Sequence, residues 1–145
     1  MQTLAEQMGG QVTTSEKKEF GFSTLKIEDE SRLLAGSSSE IIDVWMSHGD
    51  KVETLPNDFK LIGSTESAPI AAMEHISQSI YALQFHPEVT HTKGGKLILD
   101  NFIFEICSCK PDWKLDDLIS SRIEEIKHAT NGEKVLLGLS GGVDS

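Results

Sequence analysis

The chain has 145 residues, 38% of them apolar and 25% charged, which is the length and the make-up of one ordinary soluble domain. Its 13 Lys and Arg stand against 23 Asp and Glu, a formal charge of −10, and that carboxylate excess argues against binding nucleic acid or an anionic membrane surface. No stretch nears the roughly 18 unbroken apolar residues of a membrane span, Met1–Glu6 lacks the layout of a secretory leader, and two cysteines, Cys107 and Cys109, are too few for a disulfide framework, so a reducing cytoplasm is expected.

Thr3 to Met8 reads as a short helix closed by Gly9-Gly10, glycine being the residue that enters a left-handed cap without a Cβ penalty. No Ser, Thr, Asp or Asn stands before it as a start signal. From Gln11 to Phe85 the pattern is one of strands and turns. Phe20–Ile27 alternates, and Ile41–Met46 is a short apolar run rich in strand formers. Between them Gly36–Ser39 is a polar loop, and Pro56-Asn57-Asp58 is turn chemistry. Phe59–Ser64, Ile70–Met73 and Ile80–Phe85 are further expected strands, spaced as antiparallel neighbours. Gly94-Gly95 then introduce a helix with Ile98, Leu99, Phe102, Ile103 and Ile106 on one face, broken by Pro111. A second amphipathic helix carries Leu115, Leu118, Ile119, Ile123 and Ile126 in register, with Asp116-Asp117 in its first turn and Asn131-Gly132 at its end. Val135–Leu139 reads as a buried strand of the parallel kind. The expectation is of a chain cut at both ends, starting inside one element and stopping where a βα unit would continue.

Three places carry chemistry. Gln84-Phe85-His86-Pro87-Glu88 closes an expected strand, and a His and a Glu two apart across a proline can lie side by side. A carboxylate beside an imidazole fixes its tautomer and raises its basicity, which is the base-and-orienter half of a nucleophilic triad. Spacing alone leaves a surface turn with an incidental ion pair as the better account. Ser140-Gly141-Gly142-Val143-Asp144-Ser145 follows the buried strand, and glycines with serine hydroxyls suit a phosphate-gripping loop, although no Walker Gly-Lys-Ser/Thr is present. Trp45 to Asp50 runs from strand into turn, where Ser47, His48 and Gly49 could line a polar ligand site or serve backbone geometry alone. Cys107-Ser108-Cys109 has the wrong spacing for a zinc knuckle, so no metal site is expected and helix-end packing is. His75 and His128 are expected to face solvent, and His91 to assist the site or cap the next helix.

Together these pieces resemble the glutamine-hydrolysing GMP synthetase family. The matching segments, in order, are Met1-Gln2-Thr3, Glu19–Phe22, Asp43–Val52, Ser64–Ser67, Gln84–Thr92 and Gly138–Ser145. His-Pro-Glu alone would indicate only a class I glutamine amidotransferase; the extension Val89-Thr90-His91-Thr92 and the Ser-Gly-Gly-Val-Asp-Ser loop narrow it. The resemblance implies an α/β fold: the C-terminal part of a class I glutamine amidotransferase, flavodoxin-like with a mixed sheet, over residues 1–109, a linker helix over 110–133, and over 134–145 the first strand and phosphate loop of an adenine-nucleotide α-hydrolase-like ATP pyrophosphatase domain.

The same resemblance implies glutamine hydrolysis at a Cys-His-Glu triad. Ammonia passes to a second site, where ATP with Mg2+ adenylates XMP and ammonia displaces AMP to give GMP. His86 would be the general base and Glu88 its orienter. Gln2, Ser47, His48 and Gly49 would hold glutamine, and Ser140 to Ser145 the ATP pyrophosphate. A homodimer is implied, through regions beyond Ser145. Phe22 stands where the family more often has Tyr. The family's nucleophile lies in Gly-x-Cys-Tyr-Gly-Met-Gln, whose Met matches Met1, so these 145 residues are expected to hydrolyse no glutamine alone and to be marginally stable. Two other readings are a non-catalytic interaction domain derived from an amidotransferase and a separate amidotransferase subunit.

Overall fold

A computed structural model describes residues 1–112 and 115–138, apart from the side chains of residues 16, 17 and 115–117. It divides into two units, Met1–Cys109 and Lys110–Ser145. The first unit holds α1 (Gln2–Gln7), five strands and a terminal helix. The strands are β1 (Gln11–Ile27), β2 (Ile41–Thr54), β3 (Phe59–Ser64), β4 (Ala72–His75) and β5 (Tyr81–Leu83). The order across the sheet is β2-β1-β3-β4-β5, and each pair is antiparallel. The last helix begins as α2 (Gly95–Asp100) and runs on as a π-helix (Asn101–Ile106).

The hairpin of β1 and β2 dominates this unit. On β2 the even positions Ile42, Val44, Met46, His48 and Val52 are buried, the period-2 pattern of a strand with one face on a core. The apolar run 41–46 therefore continues as strand to Thr54, and Ser47-His48-Gly49 lies inside β2 rather than in a turn. Pairing with β1 supplies the hydrogen bonds that override the turn tendency of Gly49-Asp50. The irregularity falls on the opposite strand, where the register jumps between Thr14↔Asp50 and Glu19↔His48, a bulge of extra residues on β1.

Two isolated antiparallel bridges, Met46↔Phe85 and Val52↔Ile70, tie the free edge of β2 to segments flanking β4 and β5. They curl the sheet and set the position of the chain as it leaves Phe85. One cluster beneath the sheet joins Leu25, Val44, Met46, Ile62, Phe85 and Ile98. A second gathers Ala5, Val52, Phe59, Ile70, Met73 and Ala82.

Other elements depart from the sequence pattern in identifiable ways. The fourth strand is Ala72–His75, two residues later than expected, because Ile70 is taken by its bridge to Val52. His75 is buried rather than exposed; its Nδ1 accepts from the backbone N–H groups of Ser77 and Gln78, and its ring meets the Phe59 ring edge-on at 5.0 Å. Helix 95–106 ends five residues before Pro111, with Ser108 in the left-handed region at φ 54°. Its π-helical half rotates the inward face. Asn101 is buried, while Phe102 and Ile103 are 38% and 40% exposed. The Asn101 amide fits inside because it donates to the carbonyls of Leu33 and Ala35 at 3.0 and 2.9 Å. Cys107 and Cys109 are exposed free thiols, not packed ones.

In the second unit α3 spans Leu115–Thr130 and ends where Asn131 and Gly132 take left-handed φ values of 46° and 80°. His128 is exposed. Residues 133–138 form no strand, and Val135, Leu136 and Leu137 are 67–98% exposed; among the described residues no neighbouring strand offers them a ladder. Leu139 and the expected phosphate loop, Ser140 to Ser145, lie outside the described residues. No described helix is long and apolar enough to cross a membrane.

Candidate functional site

His86 and Glu88 stand at the point where the chain leaves the sheet. Phe85 forms its bridge with Met46, and the His86 N–H donates to the Trp45 carbonyl at 3.0 Å. Pro87 then removes the next backbone donor and fixes φ, so pairing stops and the turn lifts away. Across that proline the His86 Nδ1 and the Glu88 Oε1 meet at 2.8 Å, with side chains 42% and 58% exposed. A bond from its own backbone N–H and a second from His86 hold the Glu88 carboxyl below the ordinary glutamate range. A carboxylate at Nδ1 selects the tautomer with the proton there. Nε2 then keeps its lone pair, and no described residue hydrogen-bonds it.

The turn is tied back to the sheet at several points. The Thr92 hydroxyl donates to the His86 carbonyl at 2.6 Å and accepts from the Trp45 N–H at 3.1 Å. Lys93 N–H donates to the Asp43 carbonyl at 2.9 Å, and its ammonium meets the Asp43 carboxylate at 2.7 Å. His91 is exposed and its ring stacks on Trp45, with centroids 4.4 Å apart. It caps no helix; Gly94 occupies that place.

The expected ligand-holding residues divide. Gln2, on the first turn of α1, sends its amide N–H bonds to the Asp50 carbonyl at 2.9 Å and to Gln84 Oε1 at 3.2 Å. It thus joins β2 to the segment two residues before His86. Ser47 is exposed on the face of β2 that also carries Trp45. His48 points the other way, with a side chain only 4% exposed, and its Nε2 meets Glu19 Oε2 at 3.1 Å. Its Nδ1 is buried with no hydrogen-bond partner. Only the backbone of His48 and Gly49 therefore faces the Ser47 side of the strand. Among the described residues no group of three or more His, Cys, Asp or Glu could hold a metal ion.

Sequence reasoning misses Thr92 and Trp45 as builders of the site, because their contact crosses 47 positions of chain. The buried side chain of His48 does have a signal: the alternation Ile42, Val44, Met46 continues to position 48.

The family model for class I glutamine amidotransferases matches residues 1–106. GMP synthase [glutamine-hydrolyzing] of Azoarcus sp. (strain BH72) is 51% identical over the whole chain, and that of Marinobacter nauticus is 49% identical. The chain spans 29% of the length of each of these relatives. Among solved structures, a protein from Thermoplasma acidophilum described as a candidate GMP synthase subunit superposes with a TM-score of 0.69 at 31% identity, covering 86% of this chain and 56% of that one. A glutamine amidotransferase of Thermotoga maritima shares the fold, with a TM-score of 0.55 at 20% identity over 86% of this chain and 53% of that one.

Proposed function

Because the chain belongs to the class I glutamine amidotransferase family, we propose that it supplies the base and the orienter of a glutamine-hydrolysing site in a GMP synthase. The observation that carries this is the 2.8 Å contact between His86 Nδ1 and Glu88 Oε1, with Nε2 left open at the mouth of the turn. In this reading Nε2 takes the proton of an attacking cysteine thiol and returns it to the departing ammonia. Glu88 holds the imidazole in the working tautomer and stabilises it once it is charged. Gln2, the Ser47 hydroxyl and the backbone of His48 and Gly49 hold the substrate glutamine. The ammonia serves an ATP-dependent amination of XMP to GMP in the cytoplasm, with Ser140–Ser145 gripping the pyrophosphate of Mg2+-bound ATP.

Neither cysteine of the 145 residues falls in the family's nucleophile motif, since Cys107 and Cys109 both follow the π-helix. Residues 1–145 by themselves are therefore expected to release no glutamate from glutamine. Identity of 51% over all of this chain with a GMP synthase supports the assignment of the larger reaction.

The test is the nitrogen donor. In an enzyme of the relatives' full length that carries this chain, His86→Asn should cut glutamine-driven GMP formation by at least about 10³-fold. Ammonium-driven formation should survive. Equal loss with both donors, or no loss with glutamine, refutes the assignment.

A further inference from the structure

His86 lies opposite Trp45 at the edge of β2, and a regular antiparallel hydrogen-bonded pair would exchange two backbone bonds. Only one is present: the His86 N–H donates to the Trp45 carbonyl at 3.0 Å. The reciprocal bond, from the Trp45 N–H to the His86 carbonyl, is replaced by a side chain. The Trp45 N–H donates to Thr92 Oγ1 at 3.1 Å, and that hydroxyl donates to the His86 carbonyl at 2.6 Å. A hydroxyl is thus inserted into the last rung of the ladder. It spreads the two chains at His86 while leaving neither backbone group unpaired.

We propose that Thr92 is the positioning residue of the site, its hydroxyl setting the distance and direction at which His86 leaves the sheet. Three observations support a dedicated device rather than an incidental contact. Thr92 is 5% exposed, so no bulk water competes for its two bonds. Its own backbone is fixed at both groups, the N–H donating to the Val89 carbonyl at 3.1 Å and the carbonyl accepting from the Gly95 N–H at 3.2 Å. And the partner it grips is the carbonyl of His86 itself, one residue before Pro87 removes any further ladder bond. Both bonds are made by the one oxygen Oγ1, and among short side chains only the hydroxyl of Ser or Thr donates and accepts well through a single atom.

This inference rests on the reading of His86 as the base, and the experiment separates the two. In the full-length enzyme, Thr92→Val keeps the shape and removes the hydroxyl, leaving the Trp45 N–H and the His86 carbonyl without it. The expected result is a roughly 10- to 100-fold fall in kcat with glutamine, the scale of an ångström's misplacement, with KM for glutamine changed less than about threefold. GMP formation from ammonium should be unchanged. Thr92→Ser, which restores the hydroxyl without the methyl, should return glutamine turnover to within about threefold of wild type. Thr92→Val with wild-type glutamine turnover, or an equal fall with ammonium, overturns the inference. So does a fall of roughly tenfold or more in Thr92→Ser relative to wild type, a reading that needs no folded valine variant. If His86→Asn itself keeps glutamine turnover, the base assignment fails and the Thr92 inference falls with it.

Discussion

Gly95 sits under the turn that carries His86 and Glu88 and has no room for a side chain. A Cβ built there would lie 2.1 Å from the carbonyl oxygen of Pro87 and 3.0 Å from its carbonyl carbon. The obstacle is backbone, not the flexible end of a side chain, so Gly95→Ala must push Pro87 away. Restoring the 3.0 Å that real Cβ contacts respect requires a shift of about 0.9 Å. Pro87 links His86 to Glu88, so that shift is delivered to both. Overpacking of this kind costs about 1–3 kcal/mol of stability, and a displacement near 1 Å costs glutamine turnover on the order of 10²-fold. Neighbouring Gly94 is the control. It takes φ +75° with nothing near its missing Cβ, so Gly94→Ala strains the left-handed cap by about 1–2 kcal/mol and leaves Pro87 alone. Steady-state turnover with glutamine and with ammonium, set beside urea unfolding of both variants, reads the two effects. If Gly95→Ala keeps glutamine activity within about twofold, or Gly94→Ala loses as much, the steric argument is wrong.

The Glu88 carboxyl is held below its ordinary range by its own backbone N–H and by His86. A depressed carboxylate contributes stability that is complete above its unfolded value and lost as pH falls through the folded one. Carboxyl NMR of Glu88 should therefore show titration below the ordinary glutamate value, moving up in His86→Asn; an unshifted midpoint contradicts the couple. Asn101→Ala removes the donor to two inward carbonyls, Leu33 and Ala35, and should cost about 1–3 kcal/mol by urea unfolding. A loss below about 0.5 kcal/mol, the size of an ordinary surface change, would mean that water replaces the amide. Met46 is fully buried between Gly21 on β1 and Phe85. Met46→Ala should cost about 2–5 kcal/mol and loosen the anchor of the His86 turn, read as faster amide exchange at Phe85 and His86 than at β3.

Local chemistry was legible in the sequence. Gly9 at φ 89° closes α1, Asn131-Gly132 closes α3, and strand Phe59–Ser64 is found at the bounds its pattern predicts. The contact of His86 with Glu88 is also local, since two residues flanking one proline can lie side by side, and in the structure they meet at 2.8 Å. Each of these depends on φ preferences and alternation within a few residues. Tertiary structure decided the rest, because the partner lay far along the chain. Pairing with β1 carried β2 through Gly49-Asp50, turned His48 inward onto Glu19, and left Ser47 outside. The bridge to Val52 moved the strand expected at Ile70–Met73 two residues along, to Ala72–His75, and hydrogen bonds to Leu33 and Ala35 drew Asn101 into the interior. Residues 135–138, strand-like in composition, have no paired edge among the described residues and form none. A strand's residues can prefer extension by themselves, but its hydrogen bonds belong to its neighbour, and that neighbour is chosen only by the fold.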